Sequence, residues 1–198
     1  EVSLSQDTGF AANVRLGDVE TVERTNDQGV AVTVYTKHSK GTASTADLRP
    51  ESLRETVAQA CAIARYTEAD AASGLADAER LATTPMDFDL WHPTELSAEQ
   101  GIALALACEA AGLQQQGISN SDGAAFNSGR SLAVYANSHG FFGAERSTHY
   151  SLSCSLIAGK DSAMQRDYWY STALLFDALD SADAIGRKAA ERTAARLN

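Results

Sequence analysis

The sequence predicts an α+β fold built from two strand-rich antiparallel halves, each closed by a terminal helix. Three observations predict it. Period-two alternation recurs in both halves: Val30, Val32 and Val34 against Ala31, Thr33 and Tyr35, then Tyr150, Leu152, Cys154 and Leu156 against Ser151, Ser153 and Ser155. Turn-forming Gly, Asn and Asp residues punctuate these runs. A helical stripe then follows each strand block, at Leu53, Val57, Ala60, Cys61 and Ala64 and at Ile185, Ala189, Thr193 and Leu197.

The elements follow in order. Phe10, Ala12, Val14 and Leu16 share one strand parity, and Gly17-Asp18 separates them from an extended run over 19–24. Asn26-Asp27-Gln28-Gly29 has turn chemistry, because Asn and Asp tolerate left-handed backbone and Gly adopts it freely. The β-branched run 30–35 follows, then a turn at Ser39-Lys40-Gly41 and a short edge or final strand at Thr42–Thr45. Pro50 fits the first turn of a helix, where its missing N–H costs nothing, and that helix ends near Arg65-Tyr66. Residues 67–93 show no period and contain Gly74, Pro85 and Pro93. So long a connector is unusual inside one domain. The expected division is therefore 1–70, a β-meander plus helix; 71–96, a connector; and 97–198, a second α+β sub-domain.

The second part opens on a capping box, Ser97 with Gln100, and a helix to about Gln116 with Ile102, Leu106 and Leu113 on one side and Gly117 as its stop. Strands are expected at 118–121 and 124–127 on either side of Asp122-Gly123, at 131–136, and at 141–147 beyond a turn at Asn137-Ser138-His139-Gly140. Two more follow, over 149–158 and 166–174, before Ser181 caps the last helix. The echo between Val32-Thr33-Val34-Tyr35 and Leu132-Ala133-Val134-Tyr135 leaves internal duplication open.

Composition narrows the function classes. The 198 residues carry a net charge of −10, which argues against the basic footprint of a nucleic-acid binder. No apolar run approaches the roughly 20 residues of a membrane helix. Cys61, Cys108 and Cys154 are widely spaced in sequence and match neither a disulfide scaffold nor a zinc site, so a reduced cytoplasm is expected. The chain starts at Glu1 and stops after a helix, and it reads as a piece of a longer polypeptide.

No catalytic constellation emerges from the residues. His38, His92, His139 and His149 form no H-E-x-x-H pattern, and His92 and Glu95 sit in a Pro-broken loop. His149 and Cys154 have opposite strand parity and cannot share an ion without distortion. The cysteines fall on core faces, where a thiol behaves as a small hydrophobe. Tyr168-Trp169-Tyr170 should divide between core and one exposed face. No catalytic, cofactor-binding or metal-ligating residue is assigned on these grounds.

Several segments carry a family resemblance: residues 29–35, Lys40-Gly41-Thr42-Ala43-Ser44-Thr45-Ala46-Asp47-Leu48, Ile63-Ala64-Arg65-Tyr66-Thr67, Asp89-Leu90-Trp91-His92-Pro93, Phe126-Asn127-Ser128, Asn137-Ser138-His139-Gly140 and Arg166-Asp167-Tyr168. In that order they resemble the TldD/TldE family, and within it the TldE (PmbA) branch. The resemblance implies a cytoplasmic metalloprotease of two subunit types, acting on small or unfolded polypeptides and once labelled a modulator of DNA gyrase. It implies that zinc belongs to the TldD-type partner, whose H-E-x-x-x-H segment has no counterpart here. The expected partners are that subunit, a C-terminal domain outside this chain, and a peptide; nucleic acid and membrane are not expected. The alternative is a stand-alone peptide-binding or regulatory module sharing the fold. Reading the genomic frame beyond Asn198 separates the two. Thr42–Thr45 reads as the strand that ends a sheet, where an extended peptide can pair through its backbone. The alternative, which is favoured, is that the C-terminal domain outside this chain or the partner subunit covers that edge.

Overall fold

In the computed structural model, which describes residues 1–197, the strands are far longer than the turn chemistry suggested. β1 spans Val2–Arg15, β2 Asp18–Thr36, β3 Ser39–Thr45, β4 Ile118–Ala136, β5 Phe142–Ala158 and β6 Gln165–Ala173. The helices are α1 (Pro50–Tyr66), α2 (Ala98–Leu113) and α3 (Ala182–Ala195). One six-stranded sheet runs in the order β3-β2-β1-β4-β5-β6. Each half is thus three strands followed by a helix, with α2 preceding the second set, and the α+β expectation holds. The echoing segments, however, lie on β2 and β4, which are the second and first strands of their respective sets. They are not topological equivalents.

Four turn assignments are corrected. Asn26-Asp27-Gln28-Gly29 lies inside β2, whose residues 18–28 are all exposed, so polar side chains cost nothing there. The hairpin loops are instead Leu16-Gly17 and Lys37-His38, with both residues of each at positive φ as a two-residue type I′ loop requires. Gly41, expected in a turn, is strand β3: an added Cβ would lie 2.1 Å from the Ala60 carbonyl and 2.3 Å from the Ala64 N. Its role is close approach between strand and helix. Asp122-Gly123 interrupts no strand either, because Gly123 at φ +111° lets β4 continue past the Val14 carbonyl.

The chain forms two compact units: Glu1–Asp7, Asn26–Asp89 and Ser131–Arg146 in the first, and Thr8–Thr25, Leu90–Arg130 and Ser147 onward in the second. They interleave along the sequence, so they do not follow the successive division at 1–70, 71–96 and 97–198. The reason is strand length: β1, β2, β4 and β5 each contribute residues to both.

In the first unit α1 packs on β3 and β2. Its buried residues are Thr56, Ala60 and Ala64, whereas Val57, expected on the apolar stripe, is exposed. Val30, Val32 and Ala60 form the buried cluster, supported by Leu4, Val34, Ala43, Leu48 and Leu53.

The second unit holds the larger core, which includes Phe126, Tyr150, Leu152, Leu156 and Ile185. Ser97 accepts from the Gln100 N–H and Gln100 reaches back to Ser97, the expected capping box. α2 buries Gly101, Ala105, Cys108, Glu109, Ala111 and Gly112, while Ile102, Leu106 and Leu113 are half-buried. The small face wins because α3 crosses at backbone distance: a Cβ on Gly186 would lie 2.1 Å from the Cys108 carbonyl.

Candidate functional site

β3 ends the sheet, and its hydrogen-bonding polarity can be worked out from β2. The Thr33 N–H donates to the Glu1 carbonyl at 2.9 Å, and the Glu1 ammonium donates to the Thr33 carbonyl at 2.8 Å. The polar groups of Thr33 therefore point toward β1, and those of Val30, Val32 and Val34 point toward β3. These three pair with Thr45, Ala43 and Gly41. The N–H and C=O groups of Thr42 and Ser44 consequently face away from the sheet, and both residues are exposed. The expected edge at Thr42–Thr45 exists, with two residues offering open backbone.

Beside it lies a cleft of about 810 Å³ within the first unit. Ser44, Thr45 and Ala46 form one wall, Gly29 and Ala31 continue it, and Pro85, Met86, Phe88 and Phe141 add apolar surface. Met86 and Phe88 are exposed, at 71% and 58%. Sequence reading treated 85–88 as plain connector; its signal was two large apolar residues in a segment without periodicity. The cleft thus combines apolar walls with a neighbouring strand edge. It offers no side chains arranged for bond cleavage.

The residues weighed earlier stay apart. His38 lies in the β2–β3 turn and His139 in the β4–β5 turn. The His92 N–H donates to the Thr148 hydroxyl, and its carbonyl accepts from the Tyr150 hydroxyl, so it ties the connector to β5. His149 is exposed on β5, with Nδ1 3.4 Å from the Thr172 hydroxyl, while Cys154 on the opposite face is buried. Cys108 and Cys154 both sit in the core. The Cys154 thiol is pushed up by its hydrogen bond with Cys108 and by burial, the opposite of an activated nucleophile. Trp169 turns inward and carries the Arg192 guanidinium 5.2 Å above its ring, whereas Tyr168 and Tyr170 stack on the exposed face. The predicted division of that cluster holds.

Glu109 is the residue the sequence hid. It is 1% exposed, yet its two carboxylate oxygens accept from the Leu16 and Gly17 N–H groups at 2.8 and 2.9 Å, and one also accepts from the Ser121 hydroxyl. It pins the β1–β2 turn, where Leu16 holds a left-handed backbone that is costly for a branched residue. A lone acid in the Ala-rich stretch 101–112 was the available signal.

Residues 1–64 match domain 1, and residues 91–197 the central domain, of the PmbA/TldA metallopeptidases. The chain belongs to this family. Within it the chain resembles PmbA: it is 40% identical to the metalloprotease PmbA homolog of Haemophilus influenzae and 41% identical to metalloprotease PmbA of Escherichia coli O157:H7, each over all of this chain. It spans 44% of the length of both. The crystal structure of a candidate modulator of DNA gyrase from Bacteroides thetaiotaomicron superposes with a TM-score of 0.86 at 26% identity, over 97% of this chain and 44% of that one. TldE from Thermococcus kodakarensis shares the fold, with a TM-score of 0.75 at 14% identity over 97% of this chain and 43% of that one. The resemblance to the PmbA/TldE branch is thereby borne out.

A metallopeptidase family raises the question of a metal. Among the described residues no three His, Cys, Asp or Glu side chains converge. The described residues thus offer no clustered donor set of the kind a zinc site needs. Among the described residues no helix is long and apolar enough to cross a membrane.

Proposed function

We propose that this chain is the scaffold and chamber-wall region of a PmbA/TldE-type subunit, in a cytoplasmic zinc metalloprotease acting on small or unfolded polypeptides. Zinc and the hydrolytic step belong to a TldD-type partner, and this region holds extended substrate. The open backbone at Thr42 and Ser44 beside the 810 Å³ cleft carries the reading. Main-chain pairing is indifferent to side-chain identity, which suits loose sequence preference, and the apolar wall favours chains whose hydrophobic residues are exposed.

Ser44→Pro tests it. Proline removes an N–H that faces away from the sheet, so no β2–β3 bond is lost and α1 stays in place. In the complete two-subunit complex, KM for an unstructured polypeptide should rise about fivefold, the worth of one backbone hydrogen bond of about 1 kcal/mol. A folded complex that degrades the polypeptide at the normal rate and KM would overturn substrate capture at this edge. Metal analysis adds an independent check on the scaffold role: one tightly bound zinc per purified chain would sink it.

A further inference from the structure

A second, smaller cavity of about 170 Å³ lies in the second unit, lined by Gly9, Arg24, Thr94, Gly129, Arg130 and Tyr150 among others. Its floor is bare backbone. Gly9 on β1 and Gly129 on β4 lie side by side: a Cβ on Gly9 would sit 3.5 Å from the Ser128 carbonyl, and one on Gly129 would sit 3.9 Å from the Thr8 carbonyl. Arg24 and Arg130 line the same cavity. Arg130 donates to the Thr94 carbonyl at 3.0 Å and to Glu95 at 2.8 Å, so its position is fixed, while Glu95 is 89% exposed. Arg24 lies 5.8 Å above the Phe10 ring and makes no ion pair among the described residues. In a chain of net charge −10, an arginine that contacts no carboxylate, in a cavity lined by a second arginine, needs a reason.

The local charge says what the cavity would take. Arg24 and Arg130 supply two positive charges, and Glu95 neutralises one. Glu99, whose carboxyl is lowered mainly by Ser97 and slightly by the Arg24 charge, lies within electrostatic reach. Glu95 and Glu99 together offset both arginines, so what stays open is the donor fork of Arg24, which no carboxylate contacts among the described residues and which meets one carboxylate but not a second negative charge. Arg24 offers a planar fork of donors that a carboxylate meets with two parallel bonds. A dianionic phosphate would exceed the available positive charge. The Phe10 and Leu96 side chains at the rim suit the aliphatic part of an amino acid.

We propose that Arg24 and Arg130 form a binding site for a single carboxylate of a peptide, either its C-terminal group or an Asp or Glu side chain. The site rests on this geometry and is independent of the edge at Thr42–Thr45.

The test is a titration of the protein followed by the NMR signals of the arginine Nε–H groups. The probes are Ala-Ala-Ala with a free C-terminus, its C-terminal amide, the doubly blocked acetyl-Ala-Asp-Ala-amide, and inorganic phosphate. A free carboxylate should shift the Arg24 signal saturably, while Ala-Ala-Ala amide leaves it unmoved. Whichever of the two carboxylate peptides binds identifies the source. Arg24→Gln should weaken that binding at least tenfold, and Arg24→Lys should retain part of it. Arg24 is exposed, so neither variant should alter the thermal melt. Equal shifts with the amide, tighter binding of phosphate, or no saturable shift with any carboxylate would overturn the site.

Discussion

The first unit holds its helix with very little, and the second holds two helices with much more. In the first, the buried apolar cluster between α1 and the sheet is Val30, Val32 and Ala60. In the second, Phe126, Tyr150, Leu152, Leu156 and Ile185 fill a continuous core, and Phe176 packs edge-on to Phe126 and Tyr150 at 6.3 and 5.8 Å. Both units nevertheless use the same device at closest approach, a glycine whose missing Cβ lets one backbone rest on another. The difference teaches where stability and access are located. The unit with the thin core carries the 810 Å³ cleft and the open strand edge, while the second unit carries cavities of about 440 and 170 Å³. A binding surface needs exposed backbone and apolar side chains, both of which a well-filled core would consume.

Paired alanine substitutions would break that comparison most directly. In Gly186→Ala the new methyl meets the Cys108 carbonyl at 2.1 Å and the Gly112 N at 2.9 Å. Relief requires parting α2 from α3, which should cost about 3 kcal/mol. Gly41→Ala is as severe locally, with the Ala60 carbonyl at 2.1 Å, but α1 can lift while surrendering only a small buried cluster. Its cost should be nearer 2 kcal/mol. Urea unfolding of both variants measures the gap. Equal losses would mean that the first unit is held as firmly as the second.

Glu109→Gln sharpens the second half of the comparison. The carboxylate satisfies three donors, whereas an amide keeps one acceptor oxygen and turns an NH₂ group toward a backbone N–H. Shape is preserved, so the loss of about 2 kcal/mol is electrostatic in origin. Amide exchange at Leu16 and Gly17 should quicken along with the fall in stability. If stability falls while exchange at the turn is unchanged, Glu109 acts through packing instead.

What could be read from sequence was what is local. The capping box at Ser97, the Ser181 cap and the alternation through 150–156 each depend on residues within a few positions, and each is found as expected. The misreadings share the opposite cause. Gly41 looks like a turn residue until Ala60 and Ala64 are known to lie against it. Gly112 and Gly186, 74 positions apart, form one contact whose signature is only two small residues in separate helices. Glu109 serves a turn more than 90 residues earlier in the chain. The cleft and the Arg24–Arg130 pair likewise gather residues from distant strands, where spacing carries no information. Residues 26–29 failed for a different reason: an exposed strand tolerates turn-type residues, so chemistry alone does not distinguish the two.

The smallest expected effect separates the units by how their carboxylates are held. Asp47 precedes α1, and its oxygens accept from the Arg49 guanidinium at 2.6–3.0 Å, the Arg49 N–H and the Ser52 hydroxyl. These bonds, those of the Arg49 side chain first, hold its carboxyl far below the usual carboxylate range. Asp167 on β6 is lowered chiefly by the Tyr168 N–H, against burial, with the charges of Arg192 and Arg196 on and just beyond α3 adding to it. A carboxyl whose pKa is depressed in the folded state contributes stability above its unfolded pKa of about 3.9, and that contribution is lost as pH falls through the folded value. Both should therefore stabilise at neutral pH, and removing them should matter less as the solution becomes strongly acid. They differ in reach. Asp47 ties together residues within five positions of itself, whereas Asp167 connects a strand to a helix 25 to 29 residues away. Asp47→Asn, at an exposed site, should lower Tm by no more than about 2 °C at pH 7, and Asp167→Asn by more. For both, the difference from the parent should persist at pH 5 and shrink only below the ordinary carboxylate range. A difference at Asp47 that has already vanished by pH 4 would show that its hydrogen bonds to Arg49 and Ser52 are not maintained in solution.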